Sequence, residues 1–168
     1  MALNNAQIVK GGHLMIMLKE ETTVDQTTTT TYTPIAFATS HTFSKTLNTN
    51  EVSTKDHGDY AAVLPQNITW EATTENLYSL GGYKKLNDAF KQHKQVTVYF
   101  GETNYVDPGE EVGIVADGIS ANSWTREGFG EEGQAYITSL QVTAAAGENA
   151  TMSATFTGTG ALTEIAGN

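Results

Sequence analysis

Three glycines, Gly128, Gly130 and Gly133, have the GxGxxG spacing found in dinucleotide-binding proteins. In those proteins the glycines follow a hydrophobic strand and let the backbone approach a pyrophosphate at the start of a helix. Here no hydrophobic strand precedes them, and the carboxylates of Glu131 and Glu132 inside the motif would repel phosphate. We therefore interpret the motif as a glycine-rich loop and predict no nucleotide cofactor.

A second candidate is the run Asp56, His57, Gly58 and Asp59, whose carboxylates and imidazole are possible ligands of a divalent cation. Consecutive residues rarely converge on one ion, so a solvated turn is the favoured interpretation. The chain has no cysteine and no GxSxG or HExxH motif, which excludes a thiol mechanism and leaves catalysis without support. The sequence thus predicts no catalytic, metal or cofactor site, and no enzyme.

Composition points to a mostly β protein. The length of 168 residues suits a single domain, residues 1–168, with one hydrophobic core. Threonine and glycine are abundant and only 17% of residues are charged, a balance that favours strands and turns over surface helices. Without cysteine there is no disulfide, so stability must come from packing.

The net charge of −10 opposes binding to nucleic acid or to anionic membranes. The N-terminus shows no apolar core of signal-peptide length, and the longest apolar run, residues 14–18, is too short to span a bilayer. We expect no membrane association and a chain that stays in the cytoplasm where it is made.

Alternating side chains predict several strands and one helix. We expect a hairpin from two of these strands, with Tyr136, Leu140 and Val142 on one face of the first. His41 lies in another, on a polar surface or at a satisfied core position. The predicted strands are 13–18, 35–43, 68–71, 95–100, 136–142 and 150–156, and the predicted helix is 82–93.

A polar segment, residues 20–34, separates the first two predicted strands and contains five consecutive threonines. Because it holds almost no bulky apolar residue before Tyr32, we expect a long mobile loop, or an arm that orders against a partner.

Charge is divided between two segments. Residues 82–95 contain four lysines against one aspartate, whereas residues 102–132 contain eight acids against one arginine. Charge runs are usually solvated faces, but complementary patches also suit head-to-tail contact between identical subunits. The candidate inter-subunit contacts from the polar segment and these two segments are Val24, Thr28, Thr30, Tyr32, Lys84, Lys85, Lys91, Glu110, Glu111, Glu131 and Glu132.

Several short motifs together resemble the major tail tube proteins of long-tailed bacteriophages. The central motif is Ser53-Thr54-Lys55-Asp56, followed by Leu64-Pro65 and by Ile68-Thr69-Trp70-Glu71. The C-terminal third is similar to that family's closing hairpin and its GTGAL ending at residues 158–162, and Gly12 to Leu14 resembles its opening. The resemblance spans most of the chain, while the acidic segment 102–132 departs from it.

This resemblance implies a β-sandwich or barrel with one flanking α-helix, whose subunits form stacked hexameric rings. The rings would make a conduit for DNA, which passes through the lumen without specific binding. The expected partners are copies of the same chain and other tail proteins, such as the tape measure and the tail terminator. The protein would reside in the virion tail after assembly in the bacterial cytoplasm, with no cofactor.

Two alternatives remain open at the level of sequence. The tube protein of a contractile tail or of a type VI secretion system resembles the same fold. A monomeric carbohydrate-binding β-sandwich would also be rich in threonine, glycine and aromatic residues; its mark would be exposed aromatic residues on one face, and Trp70 and Trp124 are too isolated to show one.

Overall fold

A computed structural model describes residues 9, 11–35, 37–52, 54–56, 58, 60–105 and 124–166. Within these residues the chain forms a seven-stranded antiparallel sheet in the order β2-β1-β5-β6-β7-β4-β3, with a single α-helix. This confirms the predicted mostly β fold with one helix. The elements are β1 Leu14–Val24, β2 Thr27–Pro34, β3 Ala38–Val52, β4 Ala62–Leu77, α1 Leu80–Lys91, β5 Val96–Tyr105, β6 Trp124–Thr143 and β7 Thr151–Ile165.

The sheet divides into two halves that share β6 and β7. β7 pairs with β4 only from Thr151 to Thr157, and its remaining residues pair with β6 alone. Beyond this split, β3 and β4 curl over the first half, so that the Phe43 ring of β3 stacks on the Phe100 ring of β5 at 4.9 Å. One sheet therefore acts as the two layers of a sandwich.

The main core lies between these layers and beneath α1. Alternate residues of β4 and β7 point into it, including Ala72, Ala154 and Phe156, each no more than 1% exposed. α1 closes one end of the core through Leu86, which is 2% exposed. The predicted helix at 82–93 is confirmed with both ends shifted by two residues.

The motif glycines lie in strand β6 and not in a loop, so that prediction is wrong. A Cβ atom on Gly130, or on its partner Gly101 in β5, would collide with the ring of Tyr99. A Cβ atom on Gly133 or Gly158 would collide with the indole of Trp70. Glycine is needed at these positions because a large aromatic ring lies directly on the backbone of the sheet.

The predicted loop at 20–34 is also wrong as a secondary-structure assignment, because the segment is a β-hairpin. Thr22 pairs with Thr29 and Thr23 with Thr28 across β1 and β2. The two-residue turn consists of Asp25 and Gln26, both with positive φ, as a tight hairpin turn requires. Threonine's β-branched side chain suits an extended backbone, which outweighed the polarity of the segment.

Two further strand predictions need correction. The predicted strand 35–43 crosses a corner, since β2 ends at Pro34, Phe37 has φ of 56°, and β3 begins at Ala38. In β6, a register shift between Ile137 and Ser139 reverses the alternation, so Tyr136 lies on the face opposite to Leu140 and Val142.

Candidate assembly surfaces

The β1–β2 hairpin projects from the sheet as an exposed arm. β1 pairs with β5 only as far as Lys19, so within the described part of the chain residues 20–31 pair solely with each other. Val24 at the tip is 62% exposed, Thr30 is exposed, and the hydroxyl of Thr28 contacts that of Thr23 at 3.1 Å. These three sequence candidates, Val24, Thr28 and Thr30, are thus available to a partner.

The root of the arm is fixed by aromatic and charged side chains. The Tyr32 hydroxyl donates to Glu132 Oε2 at 2.8 Å, and its ring contacts the edge of Tyr99 at 5.5 Å between centroids. The Arg126 guanidinium lies 3.9 Å from the centre of the Tyr32 ring. Burial and then the hydrogen bond to Glu132 raise the pKa of Tyr32, which therefore stays a neutral donor. Tyr32 holds the arm to its own subunit.

Both predicted acidic candidates in β6 lie in ion pairs within the subunit. Lys19 Nζ lies 3.2 Å from Glu132 Oε1, and Lys45 Nζ lies 2.8 Å from Glu131 Oε1. Burial opposes the charge of Lys19, but hydrogen bonds to Glu132 and Glu21 outweigh it and raise the lysine's pKa. The Lys45 pair joins β3 to β6 across the curl of the sheet.

Among the remaining charged candidates, Lys84 and Lys91 are exposed on α1. Lys85 Nζ lies 2.7 Å from Glu20 Oε1 and so connects the helix to the arm. A partly exposed pair of this kind contributes about 0–1 kcal/mol. Lys84 and Lys91 form no ion pair with a described residue, so they are the freer lysines for an external contact. Glu110 and Glu111 lie outside the described residues.

Two open strand edges were missed by the sequence interpretation. β3 pairs with β4 on one side, and no described residue pairs with its other edge. β6 pairs with β5 only up to Ala135, so β7 is the one strand among the described residues that pairs with residues 136–143. An open edge presents unpaired N–H and C=O groups to a further strand. The register that creates these edges depends on pairing between distant segments.

Apolar side chains are exposed where β3 and β4 extend past the rest of the sheet. Leu47 and Ile68 are opposite each other in the register and are 52% and 64% exposed. Val63 and Leu64, further along β4, are 58% and 57% exposed. Contiguous apolar exposure of this kind is typical of surfaces that bind another protein.

The described residues include no group of three or more His, Cys, Asp or Glu side chains arranged to hold a metal ion. Asp56 and Gly58 lie in a turn, whereas His57 and Asp59 are outside the described residues. No helix in the described part of the chain is long and apolar enough to cross a membrane.

Solved structures of viral and virus-like tails have a similar fold. The tail of an empty gene transfer agent particle, refined with C6 symmetry, matches with a TM-score of 0.63 and 15% identity over 95% of this chain and 100% of that one. The virion of the native gene transfer agent particle matches with a TM-score of 0.62 and 16% identity over 95% of this chain and 100% of that one. The SPP1 tail tube matches with a TM-score of 0.56 and 15% identity over 96% of this chain and 80% of that one.

No curated protein sequence matches the chain significantly. A family profile described as phage tail tube protein matches residues 9–164. This match confirms the resemblance noted in the sequence and decides against the carbohydrate-binding alternative. The chain belongs to the phage tail tube protein family and is a structural subunit of a virion tail tube.

Proposed function

We propose that six copies of this chain close into a ring by pairing the open edge of β3 in one subunit with residues 136–143 of β6 in the next. The rings then stack into a tube that conducts DNA, and the subunit has no catalytic role. The observation that carries this proposal is the presence of two open edges on opposite sides of one four-stranded unit, β3-β4-β7-β6.

Pairing between different edges is a head-to-tail contact, which closes into a ring when the rotation between subunits divides a full turn. The C6 symmetry of the similar gene transfer agent tail supports six as the number of subunits. Closure also pairs open backbone groups of β3 with those of residues 136–143, and so removes edges that would otherwise favour aggregation.

We assign the contacts between rings to those predicted contact residues that are exposed. Val24, Thr28 and Thr30 lie on the arm, which extends beyond the sheet and can reach a neighbouring ring. Lys84 and Lys91 on α1 would meet acidic side chains of that neighbour. Contacts at the tube ends with a tape measure and a tail terminator belong to the same proposal.

Crosslinking across the proposed junction tests the ring. The chain has no cysteine, so Thr42→Cys on β3 and Ser139→Cys on β6 can be combined and treated with a short flexible bismaleimide. We expect a ladder of covalent oligomers that ends at six. The matched control combines Thr42→Cys with Asp88→Cys on the exposed surface of α1, and should give no such ladder. If tubes form and both thiols react with a small maleimide but no ladder appears, the edges do not pair in this way.

A further inference from the structure

The arm leaves the sheet just after Lys19, where β1 loses its pairing with β5. Side chains alternate between the two faces of a strand, so Glu20 shares the face of the buried Leu18. Lys19 and Glu21 lie on the opposite face. We call these the core face and the outer face of the arm. Each face makes its own contact with another element of the subunit.

The contact on the outer face joins the arm to β6. Lys19 and Tyr32, which are partners in the register, both reach the carboxylate of Glu132. Lys19 Nζ also lies 3.3 Å from Glu21 Oε1, which extends the charge network one residue into the arm. The Tyr32 ring packs on Tyr99, which is 1% exposed and lies directly over the backbone of β5 and β6. We call this contact the outer anchor; it combines hydrogen bonds with packing on a buried ring.

The contact on the core face is an ion pair between the arm and α1. Lys85 Nζ lies 2.7 Å from Glu20 Oε1, and the two side chains are 35% and 48% exposed. A groove of about 660 Å³ lies between α1 and β1, and both residues line it, so their ion pair bridges its walls. Among the described residues this is the one ion pair between α1 and the arm. We call it the latch; because it is exposed, salt weakens it.

The two contacts act on a flexible element. A two-stranded hairpin with no third strand and no packed layer has little stability of its own, and it bends most easily perpendicular to its own plane. The outer anchor resists bending towards α1, and the latch resists bending away from α1. Each contact therefore opposes one direction of movement. Together they define a single exit angle for the arm, which neither would define alone.

We propose that Lys85 and Glu132 are positioning residues that set the exit angle of the arm in the free subunit, so that the arm meets a neighbouring ring already in its binding orientation. This inference rests on the proposed role of the arm in joining rings. A segment that is ordered beforehand loses less conformational entropy on binding than one that orders at the contact. The latch therefore speeds the joining of rings, although an exposed ion pair adds little to the stability of the subunit.

The exit angle can be measured in the free subunit, before any assembly. The chain has no cysteine, so Val24→Cys at the arm tip and Leu80→Cys at the exposed start of α1 can each carry a spin label. Pulsed electron paramagnetic resonance should give one narrow distribution of distances between the labels. Lys85→Glu places two carboxylates opposite each other and should widen or shift this distribution. Combining Lys85→Glu with Glu20→Lys reverses the ion pair and should restore it.

Matched variants assign any change to one contact. Lys84→Glu makes the same change of charge on the neighbouring residue of α1, and it should leave the distribution unaltered. Tyr32→Phe removes the hydrogen bond to Glu132 and keeps the ring, and it should widen the distribution.

Two results would overturn the proposal at this stage. A broad distribution in the labelled protein without further substitution would show that the arm has no preset angle. The same distribution with Lys85→Glu as without it would show that the latch does not hold the arm. Lys85→Gln, which only removes the charge, repeats the measurement if Lys85→Glu does not fold.

Tube growth, followed by light scattering, tests the consequence for assembly. Lys85→Glu should slow growth by about two- to fivefold, the change in the population of correctly placed arms that the loss of an exposed ion pair allows. The combination with Glu20→Lys should restore the rate. Growth at the unmodified rate in a Lys85→Glu protein whose arm has changed its angle would overturn the positioning role. Long tubes from a protein without residues 22–29 would instead overturn the proposed function of the arm itself, so the two failures are distinguishable.

Discussion

The β1–β2 and β6–β7 hairpins are both rich in threonine, yet they contribute differently to the molecule. In β7, polar residues alternate with Met152, Ala154 and Phe156, and all three apolar side chains are at most 3% exposed. In the arm, residues 20–31 are exposed on both faces of the hairpin. Threonine content therefore indicates strand structure, whereas alternation with apolar residues decides whether a strand stabilises the fold or serves as a contact surface.

The largest effect should come from the buried face of β7. Phe156 is 0% exposed and belongs to the main core, so Phe156→Ala removes a large side chain and leaves a cavity. We expect the free energy of unfolding to fall by about 3–5 kcal/mol. Urea denaturation of the free subunit, monitored by tryptophan fluorescence, measures it.

The next residue provides the control for this prediction. Thr157 lies on the opposite, exposed face of β7, and its hydroxyl contacts that of Thr138 at 2.8 Å. Thr157→Ala should change the free energy of unfolding by no more than about 1 kcal/mol, because the contact is exposed. Equal effects for the two variants would mean that the two faces of β7 are not energetically distinct.

The sequence predicted the elements whose pattern is local. The β6–β7 hairpin and α1 follow from periodicity over a dozen residues or fewer, and the structure contains both. The position of Tyr136 was predicted on the wrong face because the register shift at 137–139 arises from pairing with β7 and leaves no local signal. The glycines of β6 were misread for a similar reason, since the rings of Tyr99 and Trp70 that lie over them come from other strands.

The candidate contacts were predictable only in part. Position in the polar segment and charge selected Val24, Thr30 and Lys84, which are exposed, and their contact with a second subunit stays a prediction. The same criteria selected Tyr32 and Glu132, which contact each other within the subunit. The open edges of β3 and β6 could not be predicted, because an edge is a property of strand order, which is fixed by long-range packing.

An intermediate effect is expected from His41, which lies on the same inward face of β3 as Phe43 and pairs with the buried Thr74. Neither ring nitrogen has a hydrogen-bond partner among the residues that the structure describes, and burial lowers the pKa of His41 to about 4. Its usual pKa is 6.5, so the folded state favours the neutral imidazole. The contribution of the neutral imidazole to the free energy of unfolding is fully present above pH 6.5 and is lost as pH falls from 6.5 towards 4.

His41→Leu removes this pH dependence and keeps a side chain of similar volume. Between pH 7 and pH 4, the free energy of unfolding of the wild type should fall by about 1–2 kcal/mol more than that of the variant, after allowance for partial exposure. Urea denaturation of both proteins at a series of pH values measures this difference. Two curves that remain parallel over this range would show that His41 contributes nothing to acid sensitivity.

The smallest effect on folding should come from shortening the arm. Glu21 and Thr30 are partners in the register, so residues 22–29 can be replaced by Asn-Gly, which forms the two-residue turn that such a pair accepts. This deletion retains Tyr32 and its contacts with Glu132 and Arg126. Because the removed residues are exposed and, in the described structure, pair only with each other, the free energy of unfolding should change by no more than about 0.5 kcal/mol.

The same deletion should have a large effect on assembly. If the arm joins one ring to the next, the shortened protein should form single rings but no long tubes under the electron microscope, because ring closure uses β3 and β6 and not the arm. The matched control, Val24→Thr, keeps the arm at full length and changes only its tip. Long tubes from the shortened protein would remove the arm from the ring-to-ring contact and leave α1 and the exposed apolar residues of β3 and β4 as the surfaces that join the rings. A large loss of stability would instead mean that residues 22–29 belong to the fold, and that exposure on both faces of a hairpin does not identify a contact surface.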